Sequence, residues 1–147
     1  MTWLWPVAVA MLIGFALAFQ PVINSSAAVV LNSTFAAATF SLLLSFLTVF
    51  VLFCLNGASI PPGQLLNLPW WAVFGGIFGA AFVSGSIFLV PVLGATVFFV
   101  CLIAGQLTGA VFADTIGAFG LESRTLSVSK FVGVGLTFLG VLLVSWE

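Results

Sequence analysis

Charge is the first thing this chain lacks. From Met1 to Ala113 there is no Asp, Glu, Lys or Arg, and Asp114, Glu122, Arg124, Lys130 and Glu147 all fall in the last 34 residues. Charged residues make up 3% of the chain, against roughly a quarter in a soluble domain. No hydrated surface can be built from so few, so lipid must be the solvent. Two basic residues cannot form the positive face that nucleic acid requires, which excludes that partner. Histidine is absent altogether. The few carboxylates are far apart, so neither a metal-ligand cluster nor a Ser/His/Asp or Cys/His constellation is available. The chain therefore reads as no enzyme and as needing no cofactor. Cys54 and Cys101 stand singly in apolar runs without a C-x-x-C spacing, and read as small packing residues. A Walker-type phosphate loop is missing, so any transport would be secondary. The N-terminus lacks the basic region of a secretory signal, and its apolar run is read as a first span.

Apolar residues are what the chain has, at 63% of its 147 positions. A bilayer span takes about 20 residues, which leaves room for five with short connections. The expected fold is an all-α integral membrane protein, a single five-helix domain over 1–147. Its spans fall at about 3–23, 35–55, 70–90, 92–113 and 126–146. Polar Asn24, Ser25, Ser26, Asn32, Ser33 and Thr34 are expected between the first two spans, and the Gly, Pro and Asn run NGASIPPGQLLNL forms the next loop. Pro91 and Gly94 mark a tight connection, and Asp114 to Ser127 is the hydrophilic loop. Lys130 can snorkel to the interface from the fifth span.

Five spans put the termini on opposite sides. Arg124 and Lys130 share a side with the N-terminus and the loop at 56–68, which makes that side cytoplasmic. Trp3, Trp5, Trp70 and Trp71 fall at that interface and Trp146 at the other, as aromatic belts place them. A bias of two residues is small enough to permit insertion both ways, or to require a partner of fixed, opposite orientation.

Gly14, Gln20, Asn24 and FAAATFSLLLSF (35–46) resemble the opening of the small YdcZ-type family of the drug/metabolite transporter superfamily. The second half carries more of the likeness: FGGIFGAAFVSGSIFLVPVLGATVFFVCLIAGQLTGAVFADTIGAFG and then KFVGVGLTFLGVLLV. These are similar to that family's glycine-rich third helix, P-x-L-G, G-Q-L, an aspartate followed by glycines, and a final helix with G-x-G and G-V. The resemblance implies five helices forming one half of a ten-helix inverted-repeat transporter in the bacterial inner membrane. It also implies members that work as single small proteins, pairs or fused duplicates. Since one five-helix chain has no inverted repeat of its own, the expected partner is a second copy in an antiparallel homodimer, or an oppositely oriented paralogue. The small multidrug transporters of the same superfamily exchange protons at a glutamate in the first helix. No carboxylate stands in the first four spans here, which argues against proton-coupled export of lipophilic cations.

Polar residues within the spans are the candidates for a solute path. Gln20 and Asn24 are four apart on one helix face, flanking Pro21, which cannot donate to the Leu17 carbonyl. They either expose a broken helix to a solute or satisfy the freed backbone. Ser41, Ser45 and Thr48 make a hydroxyl stripe on the second span, either lining a route or bonding back to their own helix, and Ser84 and Ser86 pose the same choice. Gln106 lies well inside the apolar fourth span and needs a partner at depth, which makes it the leading single candidate. Asp114 is at the membrane boundary, where anchoring the glycine turn or pairing with Arg124 or Lys130 competes with carrying a proton. The expected substrate-binding set is Gln20, Asn24, Ser45, Ser84 and Gln106. Amides, hydroxyls and aromatic rings suit a small neutral, zwitterionic or aromatic metabolite. Competing classes are a small dual-topology channel and a non-transporting membrane scaffold or accessory subunit.

Small-residue spacings offer helix contacts. Gly75 and Gly79, then Gly105, Gly109 and Ala113, read as packing within one protomer. Gly133, Gly135 and Gly140 on the fifth span read as a contact between protomers.

Overall fold

A computed structural model describes residues 4–57, 59–61, 63–120, 122–125 and 127–146. Trp3, Leu126 and Glu147, expected to be a belt residue, the start of the fifth span and a terminal charge, lie outside them. Five α-helices follow one another: α1 (Leu4–Leu31), α2 (Thr34–Leu55), α3 (Ala72–Leu93), α4 (Ala95–Ile116) and α5 (Val128–Val144). No strand occurs among the described residues. This is the all-α membrane protein expected. α1 to α4 are each long and apolar enough to cross a bilayer, while α5 is a shorter apolar helix of 17 residues. At 1.5 Å per residue the 22-residue helices reach about 33 Å, matching a hydrocarbon core of roughly 30 Å. Between 6% and 22% of the residues in the most apolar windows of the four long helices are buried. Most of their side chains therefore face outward, as lipid solvation allows and water does not.

The chain divides into two compact units, 1–92 and 93–147. In the first, α1 and α2 pack as an antiparallel hairpin. Their connection is two residues long and capped at both ends. Asn32 takes the left-handed conformation, φ 48°, and its N–H donates to the Val29 carbonyl at 3.2 Å while the Ser33 N–H donates to Ala28 at 3.1 Å. That bond pair is a Schellman motif, which closes the carbonyls that a helix end leaves open. Ser33 then caps α2, its Oγ accepting from the Ala36 N–H at 3.2 Å. The polar segment expected to separate the first two spans is thus helical as far as Leu31, because the stop signal is Asn32 and not the run beginning at Asn24. Pro21 does not break α1 either, which continues through it.

Alanines let the two helices meet. Ala37 and Ala38 on α2 are 1% and 3% exposed and cluster with Val83 and Ile87 of α3, with Ala27 and Ala28 of α1 against them. Small side chains allow backbones to approach, and van der Waals packing holds helices together where lipid provides no hydrophobic drive. Phe35 meets Phe88 edge-on, ring centroids 6.0 Å apart. At the start of α3, Trp70 packs edge-on against Trp71 and Phe74, an aromatic cluster of the kind found at bilayer interfaces.

In the second unit α4 packs on α5. α3 continues through Pro91, leaving Gly94 as the sole residue between α3 and α4, with φ 77° and ψ 155°. α4 runs beyond the expected boundary to Ile116 and ends on Gly117 in the left-handed region. Asp114 therefore sits in the last helical turn. Its carbonyl accepts from the Arg124 N–H at 2.8 Å, and its carboxylate pairs with Lys130 Nζ at 3.3 Å. Ser127 caps α5 through the Lys130 N–H.

The glycines of α3 and α4 behave differently from the packing within the protomer expected of them, whereas those of α5 were expected at a contact between protomers. A Cβ built on Gly75, Gly79, Gly105, Gly109, Gly133, Gly135 or Gly140 meets no atom within 4 Å. Within the first unit, alanines of α1 and α2, not glycines, make the contacts between α1, α2 and α3.

Candidate functional site

Beside the alanine contact, α1 and α2 line a groove of about 520 Å³. Ile23, Asn24 and Ala27 form the α1 wall. Phe40, Ser41, Leu44, Ser45, Thr48 and Val49 form the α2 wall. The α2 residues recur at intervals of three and one, the spacing of one helical face. Phe40, Ser45, Thr48 and Val49 are exposed, so the groove is open along that side.

Asn24 is the polar residue of the α1 wall, and it is 6% exposed. Its Nδ2 has no hydrogen-bond partner among the described residues. An amide left unpaired in a buried position costs about 1–3 kcal/mol. Its neighbours are settled: Pro21, one turn before the next hydroxyl, is fully buried, and its carbonyl accepts from Ser25 Oγ at 2.7 Å. Asn24 thus belongs to the groove lining while its Nδ2 stays buried and unpaired among the described residues.

Two of the three hydroxyls of the α2 wall bond back to their helix. Ser45 Oγ donates to the Ser41 carbonyl at 2.9 Å, and Thr48 Oγ1 to the Leu44 carbonyl at 2.8 Å. Their hydrogens are committed, while their lone pairs stay available at the groove wall. Lining a cavity and bonding back to the helix are thus not alternatives here.

Of the five candidates, the fold brings Asn24 and Ser45 to one groove. Gln20 is half-buried one turn before Asn24 and is not part of its lining. Ser84 is half-buried on α3, two residues from Ser86, whose hydroxyl donates to the Val83 carbonyl at 2.8 Å. Gln106 is exposed on α4, in the other unit. Phe40 and Leu44 were not singled out from sequence. The stripe that carries Ser41, Ser45 and Thr48 includes Leu44 by the same spacing, and Phe40 directly precedes Ser41. A second groove, of about 320 Å³, lies at the hairpin turn among Ser25, Asn32, Ser33, Thr34, Ile87 and Pro91. Two of its hydroxyls are occupied, Ser25 with the Pro21 carbonyl and Ser33 with the Ala36 N–H.

No curated protein and no solved structure matches this chain. A family model does, over residues 5–143, nearly the whole length, and its description is "Putative inner membrane exporter, YdcZ". With an all-helical apolar fold, the motif order from Gly14 to Val144 and that match in agreement, the chain belongs to the YdcZ family of inner membrane exporters.

Proposed function

We propose that this protein is one half of a secondary transporter, moving a small neutral, zwitterionic or aromatic metabolite by alternating access within an antiparallel dimer. The observation that carries the reading is the unpartnered amide of Asn24 in a groove lined by hydroxyls, within a chain of an exporter family. A polar group left unsatisfied in a membrane helix is a standing cost, and such groups mark solute pathways. The groove is open on one side, so α1 and α2 supply walls but no enclosure. Inverted repeats enclose a site between two halves near the midplane, and an upside-down second copy supplies the missing half.

Charge supports the inverted arrangement. Two basic residues, Arg124 and Lys130, are the whole Lys/Arg signal for orientation, a bias small enough to permit both insertions. The ion pair of Asp114 with Lys130 favours an anchoring role for Asp114 over proton carriage. Gln20, Ser84 and Gln106 remain part of the proposed path, to be reached in the assembled dimer. Counterflow in proteoliposomes tests the reading. Saturable exchange that falls at least tenfold in Asn24→Leu and Gln106→Ala supports it. Flux without saturation indicates a channel, and no flux, alone or with a paralogue, indicates a scaffold.

A further inference from the structure

We infer that the connection between α2 and α3 is a membrane-surface element. Its one-turn 3-10 helix, Gln64–Asn67, lies in the boundary between headgroups and acyl chains of a phospholipid bilayer, with leucines toward the lipid and amides toward water. The inference does not depend on the transporter reading. α2 and α3 are each long and apolar enough to cross a bilayer. α2 ends at Leu55 and α3 begins at Ala72, so the residues between them start and finish at one face of the membrane. In a 3-10 helix, residues three apart eclipse one another. Gln64 and Asn67 therefore share one edge of the turn, Leu65 and the cap residue Leu68 share a second, and Leu66 holds the third. Leu66 is 89% exposed, and Ile60, Leu65, Leu68 and Trp70 are exposed with it. A contiguous apolar patch of this kind marks an interaction surface, and the surface it adjoins is lipid. Trp70 and Trp71, in edge-on contact, follow directly at the level where aromatic belts sit.

The backbone of the turn fits the same place. The Gln64 N–H donates to the Pro61 carbonyl at 3.1 Å, Leu66 to Gly63 at 3.1 Å and Leu68 to Leu65 at 3.3 Å. Pro61 and Pro69 have no N–H to satisfy. A segment that bonds its own donors, or lacks them, can leave water at low cost. Residues 56–71 carry no charge. Basic interfacial helices draw on anionic headgroups, whereas this turn has only apolar area to hold it. It therefore fits either face of the membrane alike, as insertion both ways requires.

The test uses the full chain carrying Cys54→Ala and Cys101→Ala, in phosphatidylcholine nanodiscs that leave both faces open to solvent. Gln64→Cys, Leu65→Cys, Leu66→Cys, Asn67→Cys and Leu68→Cys are each labelled with one fluorophore, quenched by iodide from water or by brominated phosphatidylcholine from the bilayer. Brominated lipid should quench the three leucine positions about twofold or more above the two amide positions, and iodide should show the reverse order. Adding phosphatidylglycerol should leave both orders unchanged, because the turn has no charge to attract it. Leu66→Lys should raise iodide quenching at Leu65→Cys by about twofold, as the ammonium draws the turn into water. Strong iodide quenching at all five positions puts the turn in water and overturns the proposal. Leucine positions that neither quencher reaches overturn it too, because protein then covers them. Lipid quenching that needs phosphatidylglycerol does the same.

Discussion

Asn32 and Ser33 end one membrane helix and begin the next without a spacer, and each does so by a different property of its side chain. Asn32 tolerates φ 48°, a conformation that costs most L-residues about 1–2 kcal/mol. Asn32→Val should therefore lower stability by about that amount in thermal unfolding, while Asn32→Gly should change it by a few tenths. Ser33 supplies an oxygen to the Ala36 N–H. Ser33→Ala should cost about 1 kcal/mol, the usual value of a lost N-cap. These two residues were visible in the sequence as polar, but Asn24, Ser25 and Ser26 were equally polar and proved helical. The difference is that Asn24 and Ser25 turn into the fold, Asn24 to the groove and Ser25 to the Pro21 carbonyl. Polarity alone cannot separate a loop from a helix with a polar inner face.

α4 is bounded by two devices of contrasting strength. At its start, Gly94 has φ 77° and ψ 155°, a region open essentially to glycine alone. A Cβ there would meet no neighbouring atom within 4 Å, so the penalty of Gly94→Ala is purely backbone. We expect about 1–3 kcal/mol, read as a lowered melting temperature. At its end, the Asp114–Lys130 pair is about 3.3 Å long with the side chains 39% and 40% exposed. Solvent screens such a pair, and a double-mutant cycle of Asp114→Asn and Lys130→Gln should return a coupling below about 1 kcal/mol that shrinks further in salt. The pair was foreseen as one of several roles for Asp114, because two cations lay within reach along the chain. That the carboxylate takes Lys130 while its carbonyl takes the Arg124 N–H follows from the glycine turn at Gly117, which no residue pattern specifies.

For the molecule as a whole, the orientation of the termini is the measurement with most leverage. The positive bias rests on two residues, Arg124 and Lys130. Reporter fusions at the C-terminus should report both orientations in the parent protein. Replacing Gln64 and Asn67, in the short turn before α3, with lysine should drive one orientation and abolish counterflow by the homodimer. Co-expression with an oppositely biased copy should restore it. Uniform orientation of the parent with full activity would end the inverted pair. The open glycine notches on α3, α4 and α5 are free for contacts between copies, but their spacing was expected to serve the protomer on α3 and α4.

Hydropathy accumulates residue by residue, which is why solvent, helix number and family could be read along the chain: each needs only the neighbours in sequence. The groove needed more. Asn24 and Ser45 are 21 positions apart, and they line one groove because a two-residue turn and four alanines fix how far along α1 the α2 helix lies. Helical spacing says which residues share a face, but the register between two helices is set by contacts that no single helix contains. So the sequence supplied the amide and the hydroxyls as separate candidates, and packing decided which of them line one groove and that the buried amide nitrogen has no partner among the described residues.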